Sequence, residues 1–136
     1  MNKTTPGFST GGISIILRLE GLCVLALACY SYNVIQDKSW KLFAYCFLVP
    51  DISLLGYLIG KQTGAVCYNI MHSYILPLSL LIISYQLPCH LMQAISVIWI
   101  AHIGFDRALG YGLKYADGFG YTHLGLIGKL KQNQPS

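Results

Sequence analysis

The stretch Ile13–Tyr32, ISIILRLEGLCVLALACYSY, decides how this chain folds. Apart from Arg18 and Glu20 it is dominated by apolar residues, and about 20 such residues make a helix long enough to cross a bilayer. Ala28-Cys29 faintly suggests a lipoprotein cleavage site, but Ala26 and Leu27 do not suit one and Arg18 and Glu20 interrupt the apolar run. The segment is therefore expected to be retained as a first span rather than removed as a signal peptide.

Working outward, residues 1–12 form a polar lead-in rich in Gly, Ser and Thr. Downstream, a polar loop with Asp37 and Lys38 leads to a second apolar stretch at about 40–60, bracketed by Lys41 and Lys61. A third follows at about 65–86 and a fourth at about 88–110, joined by a turn so short that the two helices must be antiparallel neighbours. The reading is all-α: one domain over 1–136, a polytopic membrane protein built as a four-transmembrane-helix bundle. The glycine-rich, aromatic tail 111–136 is too short and broken for a fifth span and is expected at the membrane interface. Pro50 and Pro77 fall inside spans two and three, where a missing backbone donor should kink each helix.

Composition agrees. Of 136 residues, 54% are hydrophobic and only 10% charged, against about one quarter charged in a soluble domain. The mean hydropathy is +0.54. An ordinary soluble protein, a disordered chain, a nucleic-acid module and a disulfide scaffold are all disfavoured. Cys23, Cys29, Cys46, Cys67 and Cys89 stand singly, with no C-x-x-C pair, and read as small apolar fillers. Lys3, Lys61, Lys114, Lys129 and Lys131 fall on one side of a four-span topology and Lys38 and Lys41 on the other, which puts both termini in the cytoplasm.

Each ionisable side chain in hydrocarbon needs a reason, at about 2.5 to 3.5 kcal/mol apiece on insertion scales. The spans hold Arg18 and Glu20, Asp51, His72, and His102 with Asp106 and Arg107. Counted from the cytoplasmic ends, Arg18, Glu20, Asp51, His72 and His102 should share one level, roughly 9 to 14 Å deep, with Asp106 a turn shallower. His102 and Asp106 are i and i+4, and Asn69 and His72 are i and i+3, so each pair should share a helix face. Imidazoles and carboxylates converging from separate helices form a nitrogen and oxygen set suited to zinc, manganese or iron. The competing reading is a bundle held by buried ion pairs, with Arg18 and Arg107 neutralising Glu20, Asp51 and Asp106. A small ion or proton carrier is a further one. His90 reads as interfacial, and His123 could fold back over the cytoplasmic mouth. Trp40, Tyr85, Tyr111, Tyr115 and Tyr121 read as belts flanking the spans, while Trp99 should pack or face lipid.

The segments Val49-Pro50-Asp51-Ile52-Ser53, Tyr68-Asn69-Ile70-Met71-His72-Ser73-Tyr74 and Ala101-His102-Ile103-Gly104-Phe105-Asp106-Arg107, with Gly110-Tyr111-Gly112-Leu113-Lys114 and Thr122-His123-Leu124-Gly125, resemble an uncharacterised family of small bacterial integral membrane proteins. More distantly, the order Pro-Asp-Ile, His-Ser and His-x-x-x-Asp is similar to the inner-membrane metal-dependent hydrolase family. Ser53 stands where that pattern has a second acidic residue and Met71 where it has Thr, and its His-Arg is absent. The resemblance implies Asp51, His72, His102 and Asp106 as metal ligands, with zinc the expected ion, in a bacterial inner membrane. A metal-activated water would then attack an ester or phosphoester of a lipid or lipid-linked substrate. Glu20 would be a further ligand or the general base, and Arg18 or Arg107 would hold the anionic substrate or developing charge.

Overall fold

The computed structural model describes residues 11–35 and 37–127. Lys3, Lys129 and Lys131, on which much of the charge-based orientation rests, lie outside those residues. The helices are α1 (Gly11–Val34), α2 (Trp40–Phe47), a 3-10 helix (Val49–Leu58), α3 (Lys61–Met71), α4 (Ile75–Gln86) and α5 (His90–Leu109). Three helical stretches are long and apolar enough to cross a membrane: Gly11–Val34, Trp40–Leu58 and Lys61–Gln86. The chain is thus a predominantly helical membrane protein, with its large apolar side chains, such as Leu27, Leu58 and Ile82, turned outward. α5 is different. Ten of its twenty residues are buried, because the other elements pack around it.

The α1–α5 contact is built on small residues. A Cβ on Gly104 would stand 2.8 Å from the Leu25 nitrogen and 2.9 Å from the Gly21 oxygen, so the two backbones touch there. Small residues that permit such approach are a recurrent means of joining helices in lipid, where the hydrophobic effect gives no drive. Further along, Ala28 and Tyr32 of α1 pack with Ala94, Val97, Ile98 and Ala101 of α5. Tyr32 closes the corner to α2: it is fully buried, its hydroxyl donates to the Ser39 carbonyl at 2.5 Å, and its ring meets Trp40 and Phe43 edge-on.

Spans two and three are both broken, span two at the expected proline and span three ahead of its own. In span two, α2 stops at Phe47 and Pro50 opens the 3-10 helix, where its missing N–H matters least. The 3-10 helix shows its period directly: Ile52, Leu55 and Leu58, three residues apart, are exposed, while Pro50 is buried and Ser53 and Gly56 are partly covered. In span three the break falls at residues 72–74, ahead of Pro77. Pro77 lies in the first turn of α4 and so does not kink a continuous helix. α5 ends at Gly110, which adopts φ 93°, a left-handed conformation that suits glycine.

Residues 111–127 of the tail fold back onto α3. Asn69 of α3 grips the Lys114 backbone twice, donating to its carbonyl at 2.8 Å and accepting from its N–H at 2.7 Å. A two-stranded antiparallel hairpin follows, β1 (Tyr121–Thr122) and β2 (Gly125–Leu126), bridged to the chain at Lys114–Thr122. Among the described residues all five cysteines are free thiols.

Candidate metal centre

Four donor atoms from three elements converge between α3, α5 and the 3-10 helix. His72 Nε2 and His102 Nε2 are 3.1 Å apart. Asp51 Oδ1 is 3.5 Å from the first and 3.4 Å from the second, and Asp106 Oδ2 is 3.2 and 3.5 Å from them. The four atoms all lie within 4.8 Å of one another. Ligands bound at about 2.0 to 2.1 Å around a tetrahedral ion are separated by about 3.3 to 3.4 Å, so these edges have the length such a site requires. The His72 and His102 side chains are 0% and 2% exposed and that of Asp106 13%, whereas Asp51 is 43% exposed and is the open side.

Local structure explains how each group arrives. His102 and Asp106 are one turn apart on unbroken α5 and project together. His72 is the first residue past α3; its N–H still bonds the Tyr68 carbonyl, and its Nδ1 lies 3.0 Å from the same oxygen. A carbonyl can only accept, so Nδ1 carries the proton and, in the neutral ring, Nε2 turns its lone pair to the cluster. The Tyr68 ring stacks on His72 at 3.7 Å and its hydroxyl donates to Asp106 Oδ2 at 3.3 Å. Asp51 is delivered by the first turn of the 3-10 helix.

Protons satisfy this cluster in one way, with a single Nε2–H shared between the two imidazoles. Were both imidazoles charged, two N–H groups would face each other across 3.1 Å. Were both neutral with protonated Nδ1, two lone pairs would meet there beside two carboxylates. His102 Nδ1 is buried beside the Phe47 carbonyl but makes no hydrogen bond of good geometry. Converging lone pairs are what a cation accepts, and the donor set fits a borderline divalent ion.

The arginines do not fill the cluster. Arg107 donates to the His72 carbonyl at 2.8 Å and the Tyr111 carbonyl at 2.7 Å, and Arg18 Nε donates to the Ala108 carbonyl at 3.0 Å. Among the described residues the ion-pair contacts of Asp51 and Asp106 are with His72 and His102. Glu20 is exposed on α1 and stands outside the four-residue group, as does Arg18. The expected common level is therefore incomplete: Arg18 meets α5 at Ala108, nearly two turns beyond His102, because α1 and α5 are offset along their axes.

Three residues act in ways the sequence reading missed. Trp99 donates to the Met71 carbonyl at 2.6 Å and so, with Arg107 on His72, satisfies oxygens left open where span three breaks. Tyr68 holds both His72 and Asp106; its i, i+4 spacing from His72 was the available signal. Asn69 turns to the tail instead of joining His72. His123 is not in the cluster; its Nδ1 accepts from the Leu113 N–H at 2.9 Å, and burial, with Arg107 adding to it, pulls its imidazole below the usual histidine range. Lys114 is buried above Tyr68, with its ammonium 4.5 Å from that ring and 3.8 Å from Phe119. Burial, opposed by Asp106, pulls its ammonium down to about 8.

No match is found among curated proteins or among solved structures. The model of a family described as a domain of unknown function, DUF4260, matches residues 14–127 and so takes in every residue of the cluster; the chain belongs to that family.

Proposed function

We propose that this protein binds one divalent metal ion, zinc by choice of donors, within the membrane through Asp51, His72, His102 and Asp106. The observation that carries the reading is the set of five donor separations between 3.1 and 3.5 Å. Tyr68 supports it by orienting His72 through a carbonyl and Asp106 through a hydroxyl, the outer-shell arrangement that fixes ligand tautomer and direction.

The finer reading is a metal-dependent hydrolase acting on a lipid or lipid-linked ester or phosphoester. A divalent ion supplies Lewis acidity to the ester oxygen and acidifies water. The chain's own contribution would be to leave the Asp51 side open to substrate, to bury the other donors, and to exclude bulk water with Phe47, which meets His102 edge-on, backed by Phe105. Arg107 would hold the broken helix in register. In this proposal the protein sits in the bacterial inner membrane with α5 as a fourth span, and the lysine distribution over those four spans supports cytoplasmic termini.

Metal analysis of protein purified in detergent tests the first claim. About one equivalent is expected in the wild type and less than about a tenth in His72→Ala and His102→Ala. A wild type without metal after incubation with zinc, manganese and iron, and variants that differ only in thermal stability, would overturn it. Turnover of phospholipid or ester substrates, lost on chelation and restored by metal, tests the second.

A further inference from the structure

We infer that the groove between α1 and α5 binds one anionic phospholipid, its phosphate on Arg18 and an acyl chain along Leu19, Leu22, Leu25 and Phe105. The groove is a cavity of about 430 Å³ in which Arg18 is the one charged lining residue among those described. Leu19 and Leu22 are 55% and 52% exposed, so the wall is open to the bilayer.

Arg18 supplies the selectivity. Only its Nε is engaged, on the Ala108 carbonyl, and its two terminal amino groups meet no acceptor among the described residues. Glu20, two residues away, projects in another direction and forms no ion pair with it. A guanidinium bordering hydrocarbon without a carboxylate offers its charge to an anion, and its paired N–H groups match two phosphate oxygens. Ala108 is the penultimate residue of α5, so the free amino groups sit at the end of that helix, where headgroups begin, and the apolar wall runs inward from them. Charge above and hydrocarbon below is the profile of a phospholipid.

The groove is next to the four-residue cluster. Phe105 lines it, precedes Asp106, and meets Phe47 edge-on at 5.6 Å, which in turn meets His102 at 5.2 Å. A lipid held there is separated from His102 by the rings of Phe105 and Phe47. The assignment rests on the membrane-spanning reading and does not require the metal.

Native mass spectrometry of the full chain in detergent, titrated with phosphatidylglycerol or phosphatidylcholine, tests it. One phosphatidylglycerol is expected to be retained about fivefold more than phosphatidylcholine, the ratio that about 1 kcal/mol per basic group gives. Arg18→Gln should bring the ratio near one. Leu22→Trp, which keeps the charge and fills the groove, should lower retention of both lipids and serves if the first variant fails to fold. Lys41→Gln should change nothing. A wild type with no preference, or a preference that survives both groove variants, overturns the proposal. Inorganic phosphate that binds as tightly as the lipid, with Leu22→Trp indifferent, makes this an anion site without a chain and also overturns it. Metal content read on the same wild-type sample separates the two claims: a loaded protein without lipid preference defeats the groove alone.

Discussion

α5 and span three deliver their donor atoms by opposite means. α5 stays helical for twenty residues and brings His102 and Asp106 to one point by spacing alone. Span three stops being helical at His72 and uses the break itself to aim the imidazole. The unbroken helix satisfies its own carbonyls. The broken one exposes the Met71 and His72 oxygens, which then have to be met from elsewhere, and both donors, Trp99 and Arg107, come from α5. Continuity in one helix thus permits discontinuity in the other. Unsatisfied backbone is tolerated at membrane depth only where protein supplies such partners.

Breaking this comparison at its continuous side should do the most damage. Gly104→Leu drives a side chain into the α1 backbone at Leu25 and Gly21, and is expected to lower stability by about 3 kcal/mol or more, at the upper end of the overpacking range. Thermal unfolding in detergent measures it, and a melting temperature unchanged from wild type would mean that α1 does not seat on α5 as described. Next comes the bridge. Arg107→Leu leaves the His72 carbonyl without its charged donor and should cost about 2 to 3 kcal/mol, with Trp99→Phe costing about 1. If the two losses simply add, the break is held at two independent points; a smaller double-variant loss means it opens as one unit.

Removing one hydroxyl sharpens the comparison without disturbing either helix. Tyr68→Phe keeps the ring stacked on His72 and deletes only the bond to Asp106. Metal affinity should fall about 10- to 100-fold, the usual range for an outer-shell partner, with the melting temperature of metal-free protein nearly unchanged. Equal affinity in a competition titration would remove Tyr68 from the site.

The smallest effect concerns the tail above the break. The Lys114 ammonium is lowered to about 8 from an ordinary 10.5, so the folded protein gives up this proton before the unfolded chain does. Its burial penalty is present in full below pH 8 and is relieved as pH climbs toward 10.5. The stability difference between Lys114→Met and wild type should therefore move in favour of wild type between pH 7 and pH 10, and a difference that does not move with pH would show the ammonium to be solvated.

What could be read from the sequence follows the same division. Apolar length announced the spans, and His102 with Asp106 could be paired by counting, because counting works along a continuous helix. Asp51 follows its proline into the first turn of the 3-10 helix, a break that the proline announced. Asn69 and His72 were paired by the same rule and it failed, since the chain stops being helical between the face of one and the face of the other. Trp99 was expected only to pack or face lipid, because nothing in its own helix reveals an orphaned carbonyl on a neighbour. The depth assigned to Arg18 assumed that all helices begin at one plane, and α1 does not.

The 3-10 helix of span two carries a consequence for reach. At about 2.0 Å per residue instead of 1.5, its ten residues extend about 20 Å rather than 15. With the eight residues of α2 adding about 12 Å, the stretch Trp40–Leu58 attains roughly the thickness of the hydrocarbon layer. Rewinding that segment as an ordinary helix would shorten the span by about 5 Å and draw Asp51 along the axis, so the tighter coil sets the height at which the carboxylate meets the two histidines.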